Sequence, residues 1–184
     1  MATQPSAESF EAVALPHLAA AYNLARWLMR NNEDAEDVVQ EAMVRALTYF
    51  DGFRGTNIRA WLLQIVRNVA FASMRLNRGI KFVPIGGPGE DSNADAARSP
   101  DLRDPHEDPE SALIHAREKR QLDALLAQLP VELREVIILR ELEELSYKEI
   151  AQITDAPIGT VMSRLFRARR LLEGAAVESE ERSA

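Results

Sequence analysis

The chain has 184 residues, 46% of them hydrophobic, and a formal net charge of −7, so it can form a packed core. It contains no cysteine, which excludes disulfides, thiolate metal sites and a cysteine nucleophile. The three histidines show no metal-ligand spacing, and no apolar run or signal pattern points to a membrane or to secretion. We therefore expect a cytoplasmic protein with no metal, no cofactor and no membrane insertion.

Residues 8–78 have a helical pattern and divide into three predicted helices. The first carries an apolar stripe from Phe10 to Leu28. The second follows Asn31-Asn32, which can cap it, and its early acids suit the positive end of a helix dipole. Its predicted buried residues are Val38, Val39, Ala42, Met43, Ala46, Leu47 and Phe50.

The third predicted helix begins after a cap formed by Thr56 or Asn57. It has no acidic residue between Ile58 and Arg78 but several arginines. Cationic, polar and aromatic side chains in combination suit single-stranded nucleic acid. The alternative is a surface helix whose arginine stems merely cover apolar surface, and the helix alone leaves both interpretations open. The predicted inward residues are Ile58, Trp61, Leu62, Ile65, Val69 and Ala72.

A flexible acidic linker is predicted over residues 79–115. Five of the nine prolines and four of the eight glycines lie there, together with eight acidic and three basic side chains. Such a segment cannot bury enough apolar surface to fold by itself. The sequence thus predicts an all-α fold with two small helical domains, residues 8–78 and 116–174, the second ending in a helix-turn-helix.

The predicted helix-turn-helix occupies residues 146–173. Ser146 and Glu149 have the spacing of a capping box, residues 154–156 have turn chemistry, and Pro157 stands at the next helix start. The second helix holds four arginines and one acid, which favours a DNA major groove over a merely solvated basic face. Its predicted buried stripe is Ile158, Val161, Leu165, Ala168 and Leu172.

The charge distribution indicates weak DNA binding by the isolated protein. Residues 1–78 have eight basic and eight acidic side chains, and residues 116–184 have eleven and thirteen. Long-range attraction to phosphates is therefore nearly absent, so another component has to supply most of the DNA affinity.

Three segments together resemble the extracytoplasmic-function (ECF) group of bacterial sigma factors. Residues 34–46 (DAEDVVQEAMVRA) are similar to the family's polymerase-docking helix. Residues 53–68 (FRGTNIRAWLLQIVRN) are similar to its promoter-melting segment, and residues 129–140 (LPVELREVIILR) with the helix-turn-helix to its −35-reading domain. The resemblance implies a sigma factor that directs promoter-specific initiation, responds to stress and is held by an anti-sigma factor.

The resemblance also implies roles for individual residues. The first domain would meet the clamp helices of the largest polymerase subunit through Asp34, Asp37, Gln40, Glu41 and Arg45. It would bind the −10 element through Arg59, Arg67, Asn68, Arg75 and Arg78. The second domain would meet the flap region of core RNA polymerase and bind −35 DNA through Thr160, Ser163, Arg164, Phe166 and Arg167. Met162 departs from the basic residue that many relatives have there.

Two other functions fit the sequence less well. A stand-alone helix-turn-helix regulator would bind duplex DNA tightly without polymerase, which the balanced charges disfavour. An enzyme is not expected, because Gly86-Gly87-Pro88-Gly89 is not followed by the Lys-Ser/Thr of a phosphate-binding loop and no catalytic set stands out.

Overall fold

The computed structural model describes residues 7–79 and 120–181, and within these ranges the regular elements are all helical. The first range contains α1 (Ala7–Ala14), α2 (Leu18–Met29), α3 (Asn32–Tyr49) and α4 (Ile58–Gly79). The second contains α5 (120–128), α6 (Val131–Ile137), α7 (Tyr147–Thr154) and α8 (Ile158–Glu181). A π-helical turn, Ile138–Leu142, extends α6.

Short-range hydrogen bonds set the helix starts of the first domain. The Asn31 side chain accepts from the backbone N–H of Asp34 at 2.7 Å, which fixes the beginning of α3. The Asn57 side chain accepts from the N–H of Ala60 at 3.0 Å and starts α4 in the same way. Between α2 and α3 the chain turns at Arg30, whose φ of 67° is left-handed. Of the two caps predicted for α4, the structure uses Asn57.

The core of the first domain lies between α2, α3 and α4, which pack against one another. Its buried side chains are small or branched, so the helices approach closely. The fully buried members include Ala21, Leu24, Ala25, Ala35, Ala42, Ala46 and Leu62.

The second domain is built around α6 and α8, with α7 packed on α8. Ser146 and Glu149 form the predicted capping box at the start of α7. The turn after α7 uses Asp155 in the left-handed region, with φ 49°, which aspartate tolerates better than most residues. This turn sets the direction of α8, and the predicted helix-turn-helix is thereby confirmed.

The two domains pack against each other, α4 on α7 and α2 on α6. Since α4 is covered by α2 and α3 as well as by α7, it buries more residues than one amphipathic stripe supplies. Ala60, Leu63, Val66 and Ala70 are buried in addition to the predicted Leu62 and Val69. The sequence pattern did not show this second contact.

The predicted all-α fold with two helical domains is confirmed, with local corrections. Leu47 was predicted to be buried but is 47% exposed, and Ile158 is 46% exposed. Both stand at the edge of their apolar stripes, beyond the reach of neighbouring helices. The predicted linker lies mostly outside the described residues. None of the described helices has both the length and the apolarity needed to cross a bilayer.

Candidate functional site

The outward face of α3 carries the residues predicted to meet polymerase. Asp37, Gln40, Glu41 and Arg45 are exposed, while Asp34 is half-buried. Asp34 also takes part in the helix cap, since its carboxylate accepts from the Asn31 side chain at 2.6 Å. Glu41 and Arg45 form an ion pair one turn apart, which lowers the net charge of this face.

Exposed apolar side chains extend this face of α3. Val44 is 65% exposed and lies between Glu41 and Arg45 in sequence, and Leu47 follows one turn later. The sequence pattern predicted Leu47 to be buried and gave no signal that either residue binds a partner. Exposed apolar residues rimmed by polar ones can mark a protein-binding surface.

Two arginines of α4 predicted to bind DNA are paired with carboxylates of the second domain. Arg59 donates to Glu143 at 2.6 Å, and Arg67 donates through Nε to Glu135 at 2.9 Å. Arg67 also stacks on Phe71, with its guanidinium carbon 4.4 Å from the ring centroid. Both guanidinium groups therefore lie at the contact between the domains.

Glu135 is the most deeply buried acid of this contact. Its side chain has 0% exposure, and Arg164 of α8 approaches its other oxygen at 3.4 Å. Burial raises the pKa of Glu135. The hydrogen bond from Arg67 and the positive charges of Arg67 and Arg164 act in the opposite direction but do not cancel the effect of burial. The Glu135 carboxylate thus binds both Arg67, which was predicted to bind the −10 element, and Arg164, which was predicted to bind the −35 element.

Two further polar contacts connect α4 to α7. The Asn57 side-chain amide donates to Glu149 at 2.7 Å, and the Gln64 amide donates to the backbone carbonyl of Gln152 at 3.0 Å. Hydrogen bonds to Ser146, from its hydroxyl and its backbone N–H, lower the pKa of Glu149. At this contact, hydrogen-bond acceptors of α7 thus lie opposite hydrogen-bond donors at the start of α4 and within it.

The other predicted −10 residues lie further along α4. Asn68 and Arg75 are exposed. Arg78 belongs to the α4 backbone, but its side chain lies outside the described residues. Trp61, which the sequence assigned to core packing, is half-buried, and Phe53 packs on it with ring centroids 4.8 Å apart.

The predicted −35 residues differ in accessibility along α8. Phe166 and Arg167 are exposed, as is Ser163, whose hydroxyl donates to the Thr160 carbonyl at 2.9 Å. Thr160 is half-buried. Arg164 has 26% side-chain exposure and turns towards Glu135. Ser163, Phe166 and Arg167 therefore lie on the solvent-exposed face of α8, and Arg164 is more buried and faces Glu135.

An exposed apolar line runs along the same face of α8. Ile158, Met162 and Phe166 are 46%, 52% and 63% exposed and follow one another at four-residue spacing. In the first turn, Gly159 borders open space, since a Cβ built there would meet no atom within 4 Å. This end of α8 offers a surface on which another molecule can approach the backbone closely.

Comparison with known proteins matches two family segments to this chain. Residues 14–79 match "Sigma-70 region 2", and residues 119–172 match "Sigma-70, region 4". Together these segments cover more than half of the chain, and they occur in the order in which the structure presents its two domains.

Individual relatives agree with these matches. The chain is 38% identical over 157 residues to a protein named ECF RNA polymerase sigma-E factor from Haemophilus influenzae, covering 82% of this chain and 77% of the relative. It is 31% identical to the RNA polymerase sigma-H factor of Pseudomonas aeruginosa, covering 91% and 86%. Among solved structures, the sigma factor RpoE in complex with the anti-sigma factor NepR from Bartonella quintana shares a TM-score of 0.66 and 28% identity, covering 91% of this chain and 96% of the other.

Proposed function

Because the chain belongs to the sigma-70 family of RNA polymerase sigma factors, within its ECF group, we propose that it binds core RNA polymerase and directs promoter-specific transcription initiation. The observation that carries this proposal is the presence of both sigma regions in one chain, each folded as a helical domain with an exposed polar face. As a sigma factor it is an initiation factor and not an enzyme. It works where RNA polymerase works, in the cytoplasm.

The first domain docks on polymerase through the outward face of α3. Its acids, Asp34, Asp37 and Glu41, attract the basic clamp helices of the largest subunit, while Gln40 and Arg45 add polar contacts. Charges at the rim of an interface act mainly on orientation and association rate. Val44 and Leu47, exposed beside them, supply the apolar surface from which affinity arises.

The −10 element is bound by α4. Asn68 is exposed and carries both a donor and an acceptor, so it suits the edge of a base extruded from the duplex. Arg59, Arg67, Arg75 and Arg78 hold phosphates of the same strand. The absence of acids from the α4 sequence keeps this helix free of repulsion towards nucleic acid.

The −35 element is bound by α8 in the major groove. Arg167 bridges acceptors of a base edge, and Phe166 meets a thymine methyl group. Ser163 and Thr160 lie near the helix start, where hydroxyl groups and backbone N–H groups suit a phosphate. The ion pair of Arg164 with Glu135 holds α8 in place, and the exposed part of its guanidinium contacts the DNA backbone.

Regulation follows from the relatives. The similar RpoE structure contains an anti-sigma factor, and we propose that a comparable partner holds this chain inactive until a stress signal releases it. That partner would cover the polymerase-binding faces of the two domains. When that partner is released, the second domain would contact the flap region of core RNA polymerase.

Run-off transcription on a genomic promoter library tests the proposed function. Core polymerase with the purified protein is expected to yield transcripts that core polymerase alone does not make. Their start sites would also reveal the promoter sequence. If no new transcript appears and the protein does not associate with core polymerase at micromolar concentration, the proposal is wrong.

The stand-alone regulator receives no support from the family matches or relatives. A gel-shift assay with duplex promoter DNA separates it from a sigma factor. We expect a shift only when core polymerase is present, because the isolated protein has little net attraction for phosphates.

A further inference from the structure

Phe71 of α4 lies among the residues proposed to bind the −10 strand, although the sequence pattern gave it no role. At about 100° of rotation per residue, Arg67, Phe71, Arg75 and Asn68 fall within an arc of about 100° on the surface of the helix. Arg67 stands one turn before Phe71 and Arg75 one turn after it, so a cation flanks the ring on each side along the helix. This face of α4 therefore has an aromatic side chain at its centre.

The Phe71 side chain is half-buried and packs against the apolar core. The guanidinium of Arg67 lies over its ring, with the central carbon 4.4 Å from the ring centroid. This face of the ring is thus covered by the end of a long side chain and not by the packed core.

The place that the guanidinium occupies suits a nucleobase. Guanidinium groups and nucleobases are both flat, delocalised groups that stack on aromatic rings. Single-stranded nucleic acid is commonly bound by cationic side chains that follow its backbone and by aromatic side chains on which its bases stack. Arg67, Phe71 and Arg75 provide this combination within two turns of one helix.

We propose that Phe71 is a stacking subsite for one unpaired base of the −10 strand. The base lies flat on the ring in place of the Arg67 guanidinium, which moves to a phosphate of the same strand. Asn68, exposed on the same face three residues earlier, contacts the edge of that base. This inference rests on the proposed function, because it takes α4 as the strand-binding helix, and it adds a residue and a kind of contact to it.

The subsite divides the recognition of one nucleotide between two side chains. Every base has a π face, so Phe71 contributes affinity with little regard to sequence, while the amide of Asn68 selects among base edges. A base in a duplex is stacked on its neighbours and cannot lie on the ring. Phe71 therefore binds only the separated strand and favours the opened form of the promoter.

Phe71→Leu isolates the stacking contact, because it keeps an apolar side chain against the core but removes the flat ring. Phe71→Tyr keeps the ring and should behave like the unsubstituted protein. Phe50→Leu is the matched control. Phe50, directly after α3, is also half-buried and packed against the core, where its ring centroid lies 5.3 Å from that of Phe10.

Affinity is measured with holoenzyme assembled from core polymerase and each full-length variant. The DNA is a promoter found by run-off transcription, carrying a mismatched bubble over the −10 element so that the energy of strand opening does not enter the measurement. Phe71→Leu should weaken binding about tenfold, whereas Phe71→Tyr and Phe50→Leu should change it by less than about twofold.

Abasic nucleotides distinguish stacking from a general loss of structure. One base of the non-template −10 strand is removed at a time, and the affinity of each holoenzyme is measured again. For the unsubstituted protein and Phe50→Leu, loss of the stacked base should weaken binding. For Phe71→Leu the loss at that one position should disappear, because the contact is already absent. Asn68→Ala should reduce the loss at the same position.

Far-UV circular dichroism checks that each variant is folded, and Phe71→Met, which also lacks a flat ring, repeats the measurement if the leucine variant does not fold. A folded Phe71→Leu protein with the abasic profile of the unsubstituted protein would overturn the subsite, whether or not its overall affinity falls. Effects of Asn68→Ala and Phe71→Leu at different positions would overturn the shared nucleotide. A protein that does not associate with core polymerase in any form refutes the proposed function instead.

Discussion

The buried guanidinium of Arg134 in α6 donates a hydrogen bond to the backbone carbonyl of Trp27 in α2, at 3.0 Å. The same group donates to the carbonyls of Leu126 and Leu129 at 3.0 and 2.8 Å. Arg134 thus satisfies two backbone carbonyls at the end of α5, in the second domain, and one near the end of α2, in the first domain. Burial and the nearby Arg30 lower the pKa of Arg134, although an arginine remains charged at any working pH.

Arg134→Lys is expected to lower the free energy of unfolding by about 2 kcal/mol, because lysine cannot reach several carbonyls in different directions. Urea unfolding followed by circular dichroism measures this loss. Arg167→Lys, at an exposed position of the same domain, should change stability by less than about 0.5 kcal/mol. An Arg134→Lys protein as stable as the unsubstituted chain would contradict this role.

The capping box makes stability depend on pH in a defined direction. Hydrogen bonds to Ser146 hold the pKa of Glu149 below its usual value of 4.5. The resulting stabilisation is complete above that value and is lost as the pH falls through the folded-state pKa. Glu149→Gln should therefore be less stable than the parent at neutral pH, and the difference should shrink in acid.

Thermal unfolding over a pH series measures this difference. Ser146→Ala should reproduce most of the loss at neutral pH, about 1 kcal/mol. Glu173→Gln, which removes an exposed acid in the middle of α8 and not at a helix cap, serves as the matched control. A constant gap between Glu149→Gln and the parent across the series would exclude the carboxylate as its source.

Local features of the fold were predictable because they depend on residues three or four positions apart. Asn31, the Ser146–Glu149 pair and the turn at Asp155 were all located from the sequence, and the structure confirms each of them. Hydrogen bonds of this kind need only the local helix geometry. The same applies to the helix-turn-helix as a whole.

Features that depend on distant residues were not predictable. Glu135 stands between Arg134 and the apolar run that begins at Val136, and it gave no signal that Arg67, far away in sequence, would share its carboxylate. Likewise Leu63 and Val66 lie off the predicted stripe of α4 and are buried in a helix that meets α7 as well as its own domain. Periodicity predicts that a face is buried but not how many neighbours a helix has.

Val44→Ala is expected to weaken binding to core polymerase. Val44 is 65% exposed, and burying its side chain against a partner should contribute about 1 kcal/mol, or roughly fivefold in affinity. Fluorescence anisotropy of labelled protein titrated with core polymerase measures the change. Val13→Ala on α1, also an exposed valine, is the matched control, and equal affinities for the two variants would remove Val44 from the interface.

Met162→Arg should change the preferred −35 sequence. An arginine at this exposed position of α8 can bridge the acceptors of a guanine, whereas methionine offers only apolar contact. Selection of duplexes bound by the holoenzyme should show a new guanine preference at one position. Leu171→Arg adds the same charge further along α8, where exposure is similar, and should raise affinity without altering the selected sequence.

The first turn of α8 lacks a side chain at Gly159, where the fold itself has room for one. Gly159→Ala should therefore make the protein more stable, by about 0.5 kcal/mol, since alanine favours the helix. Under the proposed contact between the start of α8 and DNA, the added methyl group should hinder that contact, so promoter affinity should fall while the melting temperature rises. Under that proposed contact, selection for higher thermal stability at Gly159 would favour proteins that bind promoter DNA less tightly.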